Sequence, residues 1–94
     1  MEPIIAYHIF VYGRVQGVGF RYWTVSLARA FHIAGWVRNT ENDNCVELVA
    51  ESNNLENLQA FVHALKTEHP YAKVDACETA QTAPANYRSF QVVR

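Results

Sequence analysis

The residues best suited to chemistry in this sequence are Gln16, Gly17, Val18, Gly19, Phe20 and Arg21, in one short stretch, and Asn39 further along. Three of the chain's four glycines, at 13, 17 and 19, crowd into that stretch. Glycine reaches backbone angles closed to other residues and lets a ligand approach the main chain. An apolar, strand-like run from Ile4 to Tyr12 enters the stretch, and a helix-like run from about Phe20 to Phe31 leaves it. A strand, a glycine-rich loop and a helix start together make an anion site. The first helical N–H groups lack internal partners, and the helix dipole favours negative charge there. Arg21 falls in the first helical turn, where a cation is electrostatically misplaced. A bound anion removes that conflict, and guanidinium grips phosphate through a forked pair of bonds. The same residues also read as an ordinary loop followed by a solvated arginine. The spacing matches neither the dinucleotide fingerprint G-x-G-x-x-G nor the Walker loop G-x-x-x-x-G-K-[ST].

The rest of the chain must position those residues. Its 94 residues fit one domain, spanning 1–94, with half of them hydrophobic and 13% aromatic. That is enough to bury one core and too apolar for a disordered chain. A net charge of -1 argues against a broad basic surface for nucleic acid and leaves room for one local positive pocket. The run Ile4 to Tyr12 is too short to span a membrane and is broken by His8. Met1-Glu2-Pro3 lacks the basic leader of a secretory signal. Cys45 and Cys77 do not form a metal-type pair, and two unmatched thiols without an export signal point to a reducing, cytoplasmic setting. A disulfide between them stays open at this stage.

Ile5, Tyr7, Ile9 and Val11 alternate with Ala6, His8, Phe10 and Tyr12, a period of two with bulk on both faces. This predicts an interior strand, with His8 a structural residue lacking a local partner. Phe20, Trp23, Leu27 and Phe31 follow at helical spacing, which makes Trp23 a core aromatic. His32 suits the negative end of that helix. Ile33 to Arg38 reads as a second strand and Cys45 to Glu51 as a third, joined by the turn-rich run Asn39 to Asn44. Asn44 can take a left-handed backbone where that hairpin turn requires one. Asn53 caps a second helix, with Glu56 three residues on and an apolar stripe of Leu55, Leu58, Phe61, Val62 and Leu65; His63 points away from it. His69-Pro70 ends that helix region. Lys73 to Glu78 is a weak fourth strand, and Phe90 to Arg94 a short terminal one.

The order is the ferredoxin-like βαββαβ arrangement, an α+β fold with an antiparallel sheet, two helices on one face and a short extra strand at the C-terminus. The first helix is then a crossover, so the first two strands run the same way and end on the same side of the sheet. With the third strand between them they lie about 10 Å apart. Arg21 and Asn39 can converge across that gap. Read locally, Asn39 only starts a turn. Placed beside an anion site, its carboxamide can hold a water and aim its lone pair.

Gly13-Arg14-Val15-Gln16-Gly17-Val18-Gly19-Phe20-Arg21 resembles the signature of the acylphosphatase family, and Gly35-Trp36-Val37-Arg38-Asn39 resembles its second motif. The resemblance covers essentially the whole chain. It implies an enzyme that hydrolyses the carboxyl-phosphate bond of acyl phosphates to a carboxylate and inorganic phosphate. It implies phosphate held by Arg21 and by the amides of Gln16, Gly17, Val18, Gly19 and Phe20, and an attacking water positioned by Asn39. It implies no metal, no cofactor and no phosphoenzyme. The expected partner is a small-molecule acyl phosphate, with no nucleic acid and no membrane, and the chain acting as a monomer. Acyl phosphate is an activated anhydride with a good leaving group, so holding the phosphoryl group and lining up a water suffices. Two places depart from the family pattern. Asp43-Asn44 stands where the hairpin usually carries an earlier Asp-Gly, and Ser52 stands where a glycine often follows the third strand.

Three other functions fit the same elements. One is a non-catalytic anion-binding module, which Asn39 argues against. A second is RNA binding, which needs stacking aromatics and basic residues that Val46 to Glu51 lacks. A third is a carbamoyl-phosphate-handling domain of a larger enzyme.

Overall fold

The computed structural model describes residues 2–94; Met1, the first residue of the start read as lacking a basic leader, lies outside them. The order is β1 (Ile5–Arg14), α1 (Phe20–Ala30), β2 (Ala34–Asn39), β3 (Cys45–Ser52), α2 (Leu55–Thr67), β4 (Lys73–Thr82) and β5 (Phe90–Val92). The strands form one sheet in the order β4-β1-β3-β2-β5. All neighbours are antiparallel except β5, which lies parallel to β2. The fold is thus the ferredoxin-like α+β one, with a mixed sheet.

Register decides what each face carries. Ile9 pairs with Leu48 and Val11 with Val46, and all four are fully buried under the helices. His8, Phe10 and Tyr12 point to the opposite, uncovered face. Phe20, Phe61 and Phe90 complete the core from α1, α2 and β5. Each such side chain contributes about 1.5–3 kcal/mol of burial free energy.

The core-facing side of α1 is rotated from the sequence expectation, whereas that of α2 holds apart from Leu55. In α1 the residues against the sheet are Phe20, Thr24, Val25 and Ala28, while Trp23, Leu27 and Phe31 are half-buried beside them. Small side chains at 24 and 28 let the helix axis sit close to the sheet. In α2 the buried set is Leu58, Phe61, Ala64 and Leu65, and Leu55 is exposed. The α2 cap is Asn54, whose side chain accepts from the Asn57 N–H at 3.0 Å, not Asn53. Ser52 accounts for the shift, because its hydroxyl accepts from the Asn54 N–H at 3.0 Å. β4 runs four residues beyond its expected end because it pairs with β1 as far as Ala6–Thr82.

β1 and β2 both run antiparallel to β3, so their C-terminal ends share one side of the sheet. The loop 15–19 leaves β1 there, α1 starts there, and Asn39 ends β2 there. No helix among the described residues is long and apolar enough to cross a membrane.

Candidate active site

The 15–19 loop turns on glycines. Gly17 and Gly19 have φ of +76° and +74°, with open space where a side chain would begin. Gly19 is the α1 cap and supplies no side-chain acceptor. The usual Ser or Asp cap would consume one of the free amides. Here the N–H groups of Gln16, Gly17, Val18, Gly19 and Phe20 donate to no acceptor among the described residues. The first turn of α1 contains no acidic residue. Arg21 is half-buried in that turn, and no carboxylate among the described residues pairs with it. Its guanidinium lies 5.8 Å from the centre of the Tyr22 ring. A positive helix end, unpaired amides and an unneutralised cation therefore share one place.

Asn39 pairs with Val46 on the helix-covered face of the sheet. Its Oδ1 and the Thr24 hydroxyl are the buried side-chain polar atoms without a hydrogen-bond partner among the described residues. An unpaired buried acceptor costs about 1–3 kcal/mol. The sequence expectation brought residues 16–21 and 39 to one end of the sheet, and the structure has them there.

Sequence reading missed what ties the two halves together. The Gln16 carboxamide donates to the carbonyl oxygens of Cys45 at 2.8 Å and Asn42 at 2.9 Å, with a longer contact to Thr40 at 3.4 Å. The Thr40 hydroxyl reaches the same Asn42 and Cys45 carbonyls at 3.0 and 3.2 Å. The turn is closed by the Cys45 N–H on Asn42 at 3.1 Å. Asn44 does not take the left-handed backbone open to it; the non-glycine residues that do, among the described residues, are His32 and Asn86. The polar knot around Thr40 makes that conformation unnecessary. The partners of Gln16 lie 24 to 29 residues away, so only the register of β1 on β3 reveals them.

His8, read as a structural residue without a local partner, is paired with a distant one on the open face. Its Nε2 lies 2.6 Å from Glu47, whose other oxygen accepts from Arg38 Nε at 2.6 Å. Burial alone would raise the Glu47 carboxyl, but hydrogen bonds from His8 and Arg38 outweigh it and hold it below the usual carboxylate value. On the same face the Glu78 carboxylate nearby pushes the Tyr12 phenol up to about 12. Cys45 and Cys77 are free thiols, both pushed up chiefly by burial. They face opposite sides of the sheet, since Cys45 pairs with Tyr12 and Cys77 with Val11. That geometry closes the disulfide question.

Trp23 packs beside the loop, its ring 5.4 Å from Phe20 and 4.9 Å from His69. His69 Nδ1 accepts the N–H groups of Tyr71 and Ala72 at 3.0 and 2.9 Å, which fixes that ring in place. His63 is exposed, as expected. Among the described residues no three His, Cys, Asp or Glu side chains gather to hold a metal ion.

The family model described as Acylphosphatase matches residues 7–92. An acylphosphatase of Treponema denticola is 46% identical over 91 residues, covering 97% of this chain and 95% of that one. The crystal structure of acylphosphatase from Bacillus subtilis superposes with a TM-score of 0.89 at 38% identity, covering 96% of this chain and 99% of that one. HypF of T. kodakarensis matches 96% of this chain at 34% identity and a TM-score of 0.82, but over only 12% of its own length.

Proposed function

The chain belongs to the acylphosphatase family, whose members hydrolyse acyl phosphates, and we propose that Arg21 and the 16–20 amides hold the phosphoryl group while Asn39 aims the attacking water. The substrate brings two negative charges to a site with one positive side chain and a positive helix end. The amides of Gln16, Gly17, Val18, Gly19 and Phe20 point hydrogen-bond donors at the phosphoryl oxygens without needing to rearrange. Arg21 supplies the forked contact.

Asn39 Oδ1 accepts a hydrogen bond from the water and turns a water lone pair toward phosphorus. The new P–O bond forms from that water as the P–O bond to the acyl group breaks. The acyl group leaves as a carboxylate. Both protons of the water finish on the released phosphate, so the reaction needs no side-chain base. Charge spreads over the phosphoryl oxygens as the bonds exchange, which is where amides and guanidinium are aimed.

The observation that carries this reading is the buried, unpaired Asn39 Oδ1 at the sheet end where Arg21 stands in the first turn of α1. A carboxamide acceptor kept without a protein partner is costly unless a ligand uses it. The uncovered sheet face supports a small molecule over a nucleic acid, because Arg38 there is neutralised by Glu47.

The test is hydrolysis of benzoyl phosphate with chelator present, by the parent and by Asn39→Ala. The parent should turn over, with inorganic phosphate as a competitive inhibitor. Asn39→Ala should lose about 10²-fold or more in kcat with little change in phosphate affinity. Normal turnover in Asn39→Ala removes the water-aiming role.

A further inference from the structure

We infer that the side chain of Gln16 is a positioning residue for Asn39, separate from the phosphate-binding role of its backbone amide. This rests on the reading of Asn39 above. The site is built from two pieces of chain that meet only in space. One is the 15–19 loop with the α1 start. The other is the end of β2 with the turn behind it. Gln16 belongs to the first piece, and its side-chain hydrogen bonds all go to the turn of the second piece and to Cys45, where that turn enters β3.

The contacts suit the group. A carboxamide nitrogen carries two hydrogens, and the two short contacts, to Cys45 and Asn42, use both. The third contact, to Thr40, is on the residue directly after Asn39. Thr40 adds its own hydroxyl to the same Asn42 and Cys45 carbonyls. This side chain thus adds to the Gly13–Asn44 backbone bond in tying the turn after Asn39 to the loop that carries the phosphate amides. Neither half needs Gln16 to exist, since β2 is held by β3 and the loop is held by β1 and α1. Gln16 refines their mutual placement, which the Tyr12–Cys45 pairing and the Gly13–Asn44 bond set more broadly. Misplacement by about 1 Å costs about 10²-fold when a reacting water must be in line.

Gln16→Met keeps the length and the backbone amide and removes the donors. With benzoyl phosphate it should lower kcat about tenfold or more, while the inhibition constant of inorganic phosphate stays within about twofold. The decisive readout is a double-mutant cycle. If Gln16 acts through Asn39, then Gln16→Met added to Asn39→Ala costs no further turnover, within about twofold. A merely structural glutamine would multiply the two losses, and that result overturns the inference. So does a Gln16→Met enzyme with parental kcat. Should Gln16→Met fail to fold, Gln16→Asn is too short to reach all three carbonyls and should show the same split; full activity in it overturns the inference. The two readings separate cleanly. Normal turnover in Asn39→Ala overturns both, whereas a defective Asn39→Ala beside a fully active Gln16→Met overturns this one alone.

Discussion

The N–H of Gly13 donates to the carbonyl oxygen of Asn44 at 2.8 Å. The strand entering the 15–19 loop is therefore bonded directly to the turn that follows Asn39. Gly13 can make this bond because it sits at φ +137°, just after a register shift between Tyr12 and Gly13 that bends β1. A Cβ there would lie 2.0 Å from the Lys73 carbonyl oxygen and 2.9 Å from the Asp75 nitrogen. Both atoms are backbone of a paired strand, so neither gives way cheaply.

Gly13→Ala should therefore destabilise the fold by about 3 kcal/mol or more, from backbone strain and forced displacement together. Urea unfolding measures it, as a fall in midpoint at constant slope. A loss of under about 1 kcal/mol would mean that β4 is free to move away from β1.

Arg21 makes the opposite case. It has no carboxylate partner among the described residues and lies where the helix dipole repels it. Arg21→Ala should leave stability within about 0.5 kcal/mol of the parent or raise it slightly. The same change should cost about 10²–10³-fold in kcat/KM on benzoyl phosphate. Phosphate gives a second readout. At about 100 times its Kd it should stabilise the parent by about 2.7 kcal/mol, and at that concentration give Arg21→Ala almost nothing. A clear thermal shift of Arg21→Ala by phosphate would assign the anion to the amides alone.

What the sequence made legible follows from where each signal lies. β1 announces itself because both its faces carry bulk, and the loop because glycines and arginine stand close together. Arg21 and Asn39 could be placed near each other because the topology follows from element order. β4 reads short in sequence because it is an edge strand whose residues past Glu78 are exposed and, but for Ala80, polar, so no apolar period marks them. Its length comes from pairing with β1, which is tertiary information. Asn53 and Asn54 are chemically identical as caps, and only the Ser52 hydroxyl chooses between them. The His8–Glu47 and Gln16–Cys45 contacts join residues 39 and 29 positions apart, beyond any local pattern.

Glu47 gives a pH prediction. Its folded carboxyl lies below the ordinary value because His8 and Arg38 bond to the ionised form. In the unfolded chain it returns to about 4.5. A lowered folded pKa means the contribution to stability is present above the unfolded value. It is lost as pH falls from there through the folded value. Stability should thus drop on acidification below about pH 4.5, and Glu47→Gln should flatten part of that drop. Near neutral pH the substitution should cost only about 1 kcal/mol, because His8 and Arg38 are both more than a third exposed and water takes them back. Unfolding midpoints across pH 3 to 7 measure both. An unchanged acid limb in Glu47→Gln would place the sensitivity in another carboxylate.

The last prediction sets stability against turnover at one residue. No hydrogen bond joins the Asn39 carboxamide to the described residues, and its Oδ1 is buried. It is therefore a polar group whose desolvation nothing in the free protein offsets. Leucine has nearly the same shape and nothing to desolvate. Asn39→Leu should raise stability by about 1 kcal/mol, since removing an unsatisfied polar group recovers that penalty. It should lower kcat on benzoyl phosphate at least as far as Asn39→Ala, about 10²-fold. Both are read on one preparation, by urea unfolding and by initial rates. A stabilised and inactive enzyme is what a site that trades stability for function predicts. A destabilised one would mean that the carboxamide does structural work in the folded chain, and the water-aiming role would lose its main support.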